Sequence, residues 1–409
     1  MSARSAVKPY SRRITSDEWL FLATPDGLGV EIQFCLQGHG TIDPAALSAA
    51  LAEVGRLCPG TRLVRRGRRW VDSGVPPVVR VVEPDALGRP ELDSPLLRVR
   101  LAERRRPTCE VVLLTGTPTT IVFRAHHGVM DGRGVMFWLT QVLRALRGDA
   151  VEAAESPLTV NDMQARIAAA QGRQLPPAPP PHPVQWQPLL GPLPGAPHRG
   201  LQRTRTIDGY HPAVAAKVAR AVASYGDGTG LVLVPVDLRQ YLPGLRTTGQ
   251  ACGAVKVAVR ADEDWGAVQA SLLTALREYE FLANGENPTL LRLPLPSLRY
   301  LYRWLDKRFV ASGEFIVKNG IDFIACVSYM GRADLADLHA GGFEATTCYS
   351  ICDAMLVPGI DIVESGGQTH VSVGWRDGPG VAGHMEALLD QIEAQLAPQP
   401  SHLDSTRAG

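Results

Sequence analysis

Apolar side chains along the chain keep two rhythms, one near 3.6 residues and one of two, and together they predict a mixture of helices and strands. Thr15 stands three residues before Glu18, the spacing of a capping box, so a first helix starts there. Residues 30–36 alternate, with Val30, Ile32, Phe34 and Leu36 on one face of a strand. Asp43 followed by Pro44 is a helix cap and a first-turn proline. Leu47, Leu51, Val54 and Cys58 then share a stripe, and Pro59-Gly60 closes the helix. Short strands follow through 69–71 and 78–82. Two more span 109–114 and 119–125, with Gly116-Thr117-Pro118 turning between them. A helix from about 134 to 147 is apolar at Met136, Leu139, Leu143 and Leu146, and Gly148 lies past its end.

The pattern fades between Asp149 and Gly200. One short helix fits 160–170, and the run Pro176-Pro177-Ala178-Pro179-Pro180-Pro181 reads as extended polyproline II without a core. A stretch of that length is a linker or a functional crossover. The grammar then resumes. His211-Pro212 opens a helix with Val214, Val218, Val222 and Tyr225 on one face, 231–236 is a buried-type strand, and 255–259 is a half-exposed one. Residues 265–279 are helical, 324–329, 355–363 and 370–375 are strands, and 383–396 is a final amphipathic helix. Both halves mix helices and strands, so the class is α/β or α+β. The expected division is 1–150, a crossover over 151–200, and 201–409.

Composition narrows the function. The 409 residues are 45% hydrophobic and 20% charged, ordinary for a globular chain. Forty-two basic residues against 41 acidic ones leave a net charge of +1, which argues against a nucleic-acid partner. Two arginine clusters, Arg65-Arg66 with Arg68-Arg69 and Arg104-Arg105-Arg106, read as solvated faces or as docking points for something anionic. Residues 297–309 form an amphipathic helix with Leu298, Leu301 and Leu305 beside Arg299, Arg303 and Lys307, more consistent with core packing than with a membrane or lipid contact. There is no run of about 18 apolar residues and no leader-like start, so a cytoplasmic protein without an integral membrane segment is expected. The seven cysteines are scattered and fit reduced thiols. Cys348 and Cys352 lack the further ligands of a zinc site, so no metal is expected.

The chemistry concentrates in His126-His127-Gly128-Val129-Met130-Asp131-Gly132, placed between an apolar strand and an amphipathic helix. A neutral imidazole takes up a proton near pH 7 without large tuning. Asp131 can fold back to fix a ring or anchor the loop, and Gly132 lets the backbone turn where a side chain would collide. The bland alternative is a pair of buried, hydrogen-bonded histidines at a strand end. No Gly-x-Ser-x-Gly elbow, phosphate-binding loop or His-Glu-x-x-His string supports hydrolase, phosphate-transfer or zinc-protease chemistry.

This string resembles the HHxxxDG motif of the condensation-domain superfamily. That superfamily includes nonribosomal peptide condensation domains, polyketide-associated acyltransferases and, more distantly, chloramphenicol acetyltransferase and the plant BAHD enzymes. The likeness extends along most of the chain. Residues 43–62 resemble the family's first long helix and the arginine after it. Pro235-Val236-Asp237-Leu238-Arg239 resembles its second-half strand, and Ser328-Tyr329-Met330-Gly331-Arg332 resembles the Ser-x-x-Gly segment of the polyketide-associated branch. The BAHD string Asp-Phe-Gly-Trp-Gly is absent. Val373-Gly374-Trp375-Arg376-Asp377-Gly378 stands in the comparable region.

The resemblance implies two chloramphenicol-acetyltransferase-like subdomains in a V, with an active-site tunnel between them. It implies that His127 is the catalytic base, that His126 supports it, and that Asp131 is mainly structural, with Arg62 as the expected partner. Gly132 shapes the same loop, and Arg133, Ser328 and Gly331 are weaker candidates for substrate contact. The implied reaction carries an acyl group from a thioester to a hydroxyl or amine of a small-molecule acceptor. The donor arm is the phosphopantetheine of an acyl or peptidyl carrier protein, or coenzyme A, and no bound cofactor is implied. A monomer is expected. Two other readings keep the fold: cyclisation or another proton transfer on a carrier-tethered intermediate, and a non-catalytic carrier-binding module.

Overall fold

The computed structural model describes residues 10–24, 29–83, 97, 99–104, 106–175, 200–226, 229–283, 288–309, 324–352 and 357–397. The polyproline run 176–181, and the crossover from there to 199, lie outside the described residues.

The first half opens with β1 (Ser11–Arg13) and α1 (Ser16–Ala23). The capping box at the start of α1 is present as the spacing predicts. The Glu18 amide donates to Thr15 Oγ1, and the Thr15 amide donates to Glu18 Oε2 at 2.9 Å. Strand β2 (Glu31–Gly40) leads to α2 (Pro44–Leu57), whose first turn is held by Asp43 accepting from the amides of Ala45 and Ala46. Then come β3 (Leu63–Arg66), β4 (Arg69–Asp72), β5 (Val78–Val82), β6 (Cys109–Leu114), β7 (Thr119–His126) and α3 (Gly132–Arg147). Gly148 ends α3 with φ 78°, a left-handed cap that favours glycine.

The second half comprises α4 (Val160–Ala170), β8 (Gly200–Asp208), α5 (Val214–Tyr225), β9 (Thr229–Asp237), β10 (Cys252–Arg260), α6 (Trp265–Arg277), α7 (Pro288–Arg292) and α8 (Leu295–Phe309). It continues with β11 (Ala325–Ala333), β12 (Phe343–Ile351), β13 (Gly359–Ser365), β14 (Gln368–Arg376) and α9 (Val381–Leu396). Helix α5 does not start at His211-Pro212 as the sequence suggests. Its cap is Ala213, and the proline sits in the turn before it.

Three sheets organise these elements. Six strands in the order β10-β9-β11-β13-β14-β8 form the second sheet. Val232, Val234, Val257, Val327, Ile360, Ile362, Val371 and Val373 turn one of its faces toward α5, α6 and α9, making one core. Period-two alternation makes the opposite face of that sheet the polar one. The first sheet runs β12-β2-β7-β6-β5, and its core joins α1, α2 and α3 through Phe34, Leu51, Phe123 and Trp138. A small sheet, β1-β4-β3, flanks it.

The two cores do not divide at one point of the chain. Strand β12, late in the sequence, pairs antiparallel with β2 and forms the edge of the first sheet. Leu295 and Leu298 of α8 join the first core, whereas α4 contributes Val160, Met163 and Ile167 to the second. The two halves therefore share strands and helices across their boundary.

Two expectations about surface residues change. Arg65 was expected on a solvated face. It is only 6% exposed, lies over the Trp19 ring at 5.7 Å and donates to the Gly67 carbonyl, while Arg66, Arg68, Arg69, Arg104 and Arg106 are exposed. In α8, Leu298 packs inward as expected, but Leu301 faces out together with Tyr300 and Trp304. Among the described residues, no helix is long and apolar enough to cross a membrane, and no cluster of side chains could hold a metal ion.

Candidate active site

The motif occupies the turn from β7 to α3. The last residue of β7, His126, donates its amide to the Thr108 carbonyl, and the next amide, that of His127, donates to the Val30 carbonyl. The chain then folds back, with the Val129 amide on the His126 carbonyl. His126 is fully buried. Its Nδ1 accepts from the Gly128 amide at 3.0 Å, so the ring proton sits on Nε2, which has no partner among the described residues. Burial, and then the positive charges of Arg100 and Arg299, hold His126 well below the ordinary imidazole range. It is a neutral wedge in the loop.

His127 is half-buried and stacks on Phe21, with ring centroids 4.0 Å apart and planes 17° from parallel. Its Nδ1 edge meets a knot of polar groups. Gln250 Nε2 lies 2.7 Å from Nδ1, donates to the Met130 carbonyl at 3.1 Å and also contacts the His127 carbonyl. An amide nitrogen only donates, so where Nδ1 accepts from it the ring proton stands on Nε2, and the two carbonyls pull toward the other tautomer. Those same carbonyls, of His127 and Met130, favour a proton on Nδ1. The lone pair then falls on Nε2, which no described residue hydrogen-bonds. Burial lowers the His127 pKa, and the two carbonyls and Asp131 partly offset that shift. A neutral ring with a free Nε2 is the form that accepts a proton.

Asp131 is buried, as expected, but its partner is not Arg62. Arg239, from the turn after β9, donates from both terminal nitrogens to the two carboxylate oxygens at 3.0 and 3.1 Å. The amides of Gly134 and Ala251 donate to the same carboxylate, each at 2.7 Å. Arg62 instead pairs with Asp72 of β4 at 2.5 Å. The physical reason lies in the strand order: the short helical turn carrying Arg62 runs directly into β3, which pairs with β4 and places Asp72 within reach. Asp131 thus caps α3 and bolts it to the second half.

The remaining candidates meet on one side of this bolt. A Cβ at Gly132 would fall 2.3 Å from Met330 Sδ, so the glycine admits β11 against the start of α3. Gly331, with φ 87°, lies under the guanidinium of Arg133, and a Cβ there would come within 2.4 Å of it. Arg133 is exposed. Ser328 is half-buried two residues before Met330, with its Oγ 3.7 Å from Met330 Sδ. The sequence therefore identified residues that the fold brings together around the α3 start, apart from Arg62.

It missed Arg239, Gln250 and Phe21. Arg239 was visible as the end of the Pro235–Arg239 string, but nothing there named Asp131 as its partner. Gln250 carried no signal at all, since it belongs to a loop without periodicity. That loop, 247–251, inserts into the first half. Thr248 fills the space a side chain at Gly60 would take, its carbonyl lies over Gly134, and Arg239 donates to the Thr247 and Gly249 carbonyls. Because Asp131 already takes the Gly134 amide, that first-turn donor is not free to steady an oxyanion.

No protein-family model and no curated protein matches the sequence. Solved structures are. The starter condensation domain of rhizomide synthetase RzmA, as a double mutant in complex with C8-CoA and Leu-SNAC, superposes with a TM-score of 0.63 at 16% identity, covering 97% of each chain. The condensation domain of the Monacolin K polyketide synthase MokA gives 0.61 at 14% identity, over 94% of this chain and 96% of that one. Polyketide synthase associated protein 5 from Mycobacterium tuberculosis gives 0.62 at 15%, over 96% and 98%. The chain has the two-subdomain condensation-domain fold, in agreement with the resemblance carried by the motif.

Proposed function

We propose that the protein transfers an acyl group from a thioester to a hydroxyl or amine, with His127 as general base. The observation that carries this reading is the held Nδ1 edge of His127 and its Nε2, unengaged among the described residues, in a loop bolted between the two halves. The nucleophile gives its proton to Nε2 as its oxygen or nitrogen bonds to the thioester carbonyl. The tetrahedral adduct collapses with loss of the thiolate, which takes the proton back from the imidazolium. No acyl-enzyme is required, because holding both reactants close supplies much of the acceleration.

Donor and acceptor meet at His127 from a tunnel between the subdomains, the donor on the phosphopantetheine arm of a carrier protein or on coenzyme A. The rhizomide synthetase domain was solved with C8-CoA and a Leu-SNAC thioester, ligands of the chemistry assigned here. The exposed arginines of the first half, with Arg104 near Arg65 and Arg299, give an acidic carrier a surface to meet, and the working compartment is the cytoplasm. The test is mass spectrometry of an acyl thioester incubated with an alcohol or amine panel. Acylated acceptor and free thiol must appear with the wild type and fall away with His127→Ala. Equal product from both proteins would overturn the assignment.

A further inference from the structure

The polar face of the second sheet holds a carboxylate that the reaction above does not use. Asp361 of β13 sits in register with Ser328 of β11 and Ser372 of β14, and Ser372 in turn with Thr204 of β8. Paired residues share a face, so these four form one row, turned away from the valine-rich core. The row is not a free surface. The Ser372 hydroxyl donates to the Ser350 carbonyl of β12 at 2.6 Å, so the edge of the first sheet lies over it. Toward β11 it opens, since Asp361 and Ser328 are half-buried whereas Ser372 and Ser350 are buried. Ser328 leads within two residues to Met330, which abuts Gly132 at the start of α3. Asp361 therefore lies in the layer between the second sheet and β12, on the side that runs toward the motif loop.

Among the described residues, most buried carboxylates have a guanidinium beside them. Glu18 has Arg12, Glu110 has Arg124 and Asp131 has Arg239. Among the described residues, no arginine, lysine or histidine pairs with Asp361. Burial pushes its pKa up to about 7, with the Ser350 hydroxyl and Cys352 thiol pulling it back down. Ser350 Oγ is near enough to be felt but lacks hydrogen-bond geometry. An unpaired carboxylate in such a place is costly unless a ligand completes it. Core packing alone would favour an apolar or amide residue here.

We infer that Asp361 holds an ammonium group of one substrate, a group other than the reacting nucleophile, in the layer between the second sheet and β12. This rests on the acyl-transfer reading for the identity of the substrates, but the binding itself does not need turnover. The ammonium belongs either to the acceptor or to the acyl chain of the donor. Among the described residues, the titratable groups nearest the carboxylate are the thiols of Cys326 and Cys352, while His370 and Arg376 stand further along the same face of β14. Cys326 is pushed up to about 12, so it stays neutral across the working range. Ionisation of Asp361 then makes ammonium binding stronger as pH rises from 6 to 8, through its raised pKa of about 7.

Single-substrate titration calorimetry tests this without catalysis. The probes are pentylamine against pentanol, for an acceptor, and the β-alanyl against the propionyl thioester of N-acetylcysteamine, for a donor. On the wild type, the amine-bearing member of one pair should bind about 10–100-fold tighter than its neutral partner, the range of one charge-assisted hydrogen bond. That preference should grow between pH 6 and 8 and vanish in Asp361→Asn, and the pair that shows it identifies the source. Asp361→Asn should be at least as stable as the wild type at pH 8, since it removes an uncompensated charge. Equal binding within both pairs on the wild type overturns the inference, as does an amine preference that survives in Asp361→Asn. Acyl transfer to simple alcohols with no amine preference would sink this inference and leave the reaction standing.

Discussion

Arg239 grips Asp131 with both terminal nitrogens, joining a turn of the second half to the first turn of α3, one loop away from His127. The pair is mostly buried, and the Asp131 carboxylate is also held by the Gly134 and Ala251 amides. Removing the carboxylate leaves a desolvated guanidinium with Asp237 as its remaining counter-charge, beside the Thr247 and Gly249 carbonyls. Asp131→Ala should cost about 3 kcal/mol, at the low end for a broken buried pair because Asp237 persists. A double-mutant cycle by urea denaturation should give a clear coupling, about 1.5–3 kcal/mol, between Asp131 and Arg239. The same cycle between Asp131 and Arg62 should give none. Coupling to Arg62 and not to Arg239 would refute the geometry.

His127→Ala should lower turnover by about 10²–10⁴, the usual range for a lost general base, with the fold intact by circular dichroism. His126→Ala should lower turnover less and stability more, because His126 fills a buried site and serves the Gly128 amide. If the two variants lose activity equally and both remain fully stable, the division of roles between the histidines is wrong.

The same base has a pH signature. Burial depresses the His127 pKa below that of free imidazole, so the ring stays neutral to lower pH than it would in water. Activity requires the neutral ring, so it is retained down to the depressed value and lost only below it. The acid limb of kcat/KM should therefore fall below about 6.5, the reference value for the side chain. An acid limb at or above that value would contradict the burial seen here.

Gln250 should behave as a positioning residue. Its amide spans the His127 and Met130 carbonyls and the Nδ1 edge of His127. Gln250→Ala should reduce kcat by up to about 10²-fold, the penalty of a loosened base, and should move the acid limb as the ring's surroundings change. KM should change less than kcat. An effect on KM alone, with an unmoved pH profile, would make Gln250 a substrate contact instead.

The donor question turns on exposed arginines. Arg104 is solvent-exposed, so Arg104→Glu should slow a reaction with a carrier-bound acyl group and leave the same acyl group on N-acetylcysteamine untouched. The carrier reaction should also weaken with salt. Arg65 does not serve for this test, because it is buried against Trp19 and its loss would disturb the core. Equal rates on carrier and coenzyme A, at all salt concentrations, would make the cluster irrelevant to donor choice.

Most of the scaffold was legible because its elements announce themselves locally. The Thr15 box, the Asp43-Pro44 cap and the left-handed Gly148 each follow from a few adjacent residues. Strands β8 and β12 escaped for a shared reason. Gly200–Asp208 carries Gln202, Arg203, Thr204, Arg205 and Thr206 in a row, and Phe343–Ile351 breaks its apolar residues with Glu344, Thr346, Thr347 and Ser350, so hydrophobic alternation is faint. The site was half legible. The motif residues sit within seven positions of one another, whereas Arg239 and Gln250 reach them from more than 100 positions away, and no local rule predicts such a meeting.

Strand β12 has one more consequence. Because the edge of the first sheet is supplied by residues 343–351, the halves are interlaced and not beads on a string. A hybrid made by grafting residues 201–409 of a related enzyme onto 1–200 of this one would import a foreign edge strand against β2. Its bulge between Ala345 and Thr347, and the Phe343 ring over Gly38, would have to match by chance. Recombination of specificities in this scaffold is therefore better done by exchanging loops or wall residues than by exchanging halves, and a half expressed alone would present β2 as an open, sticky edge.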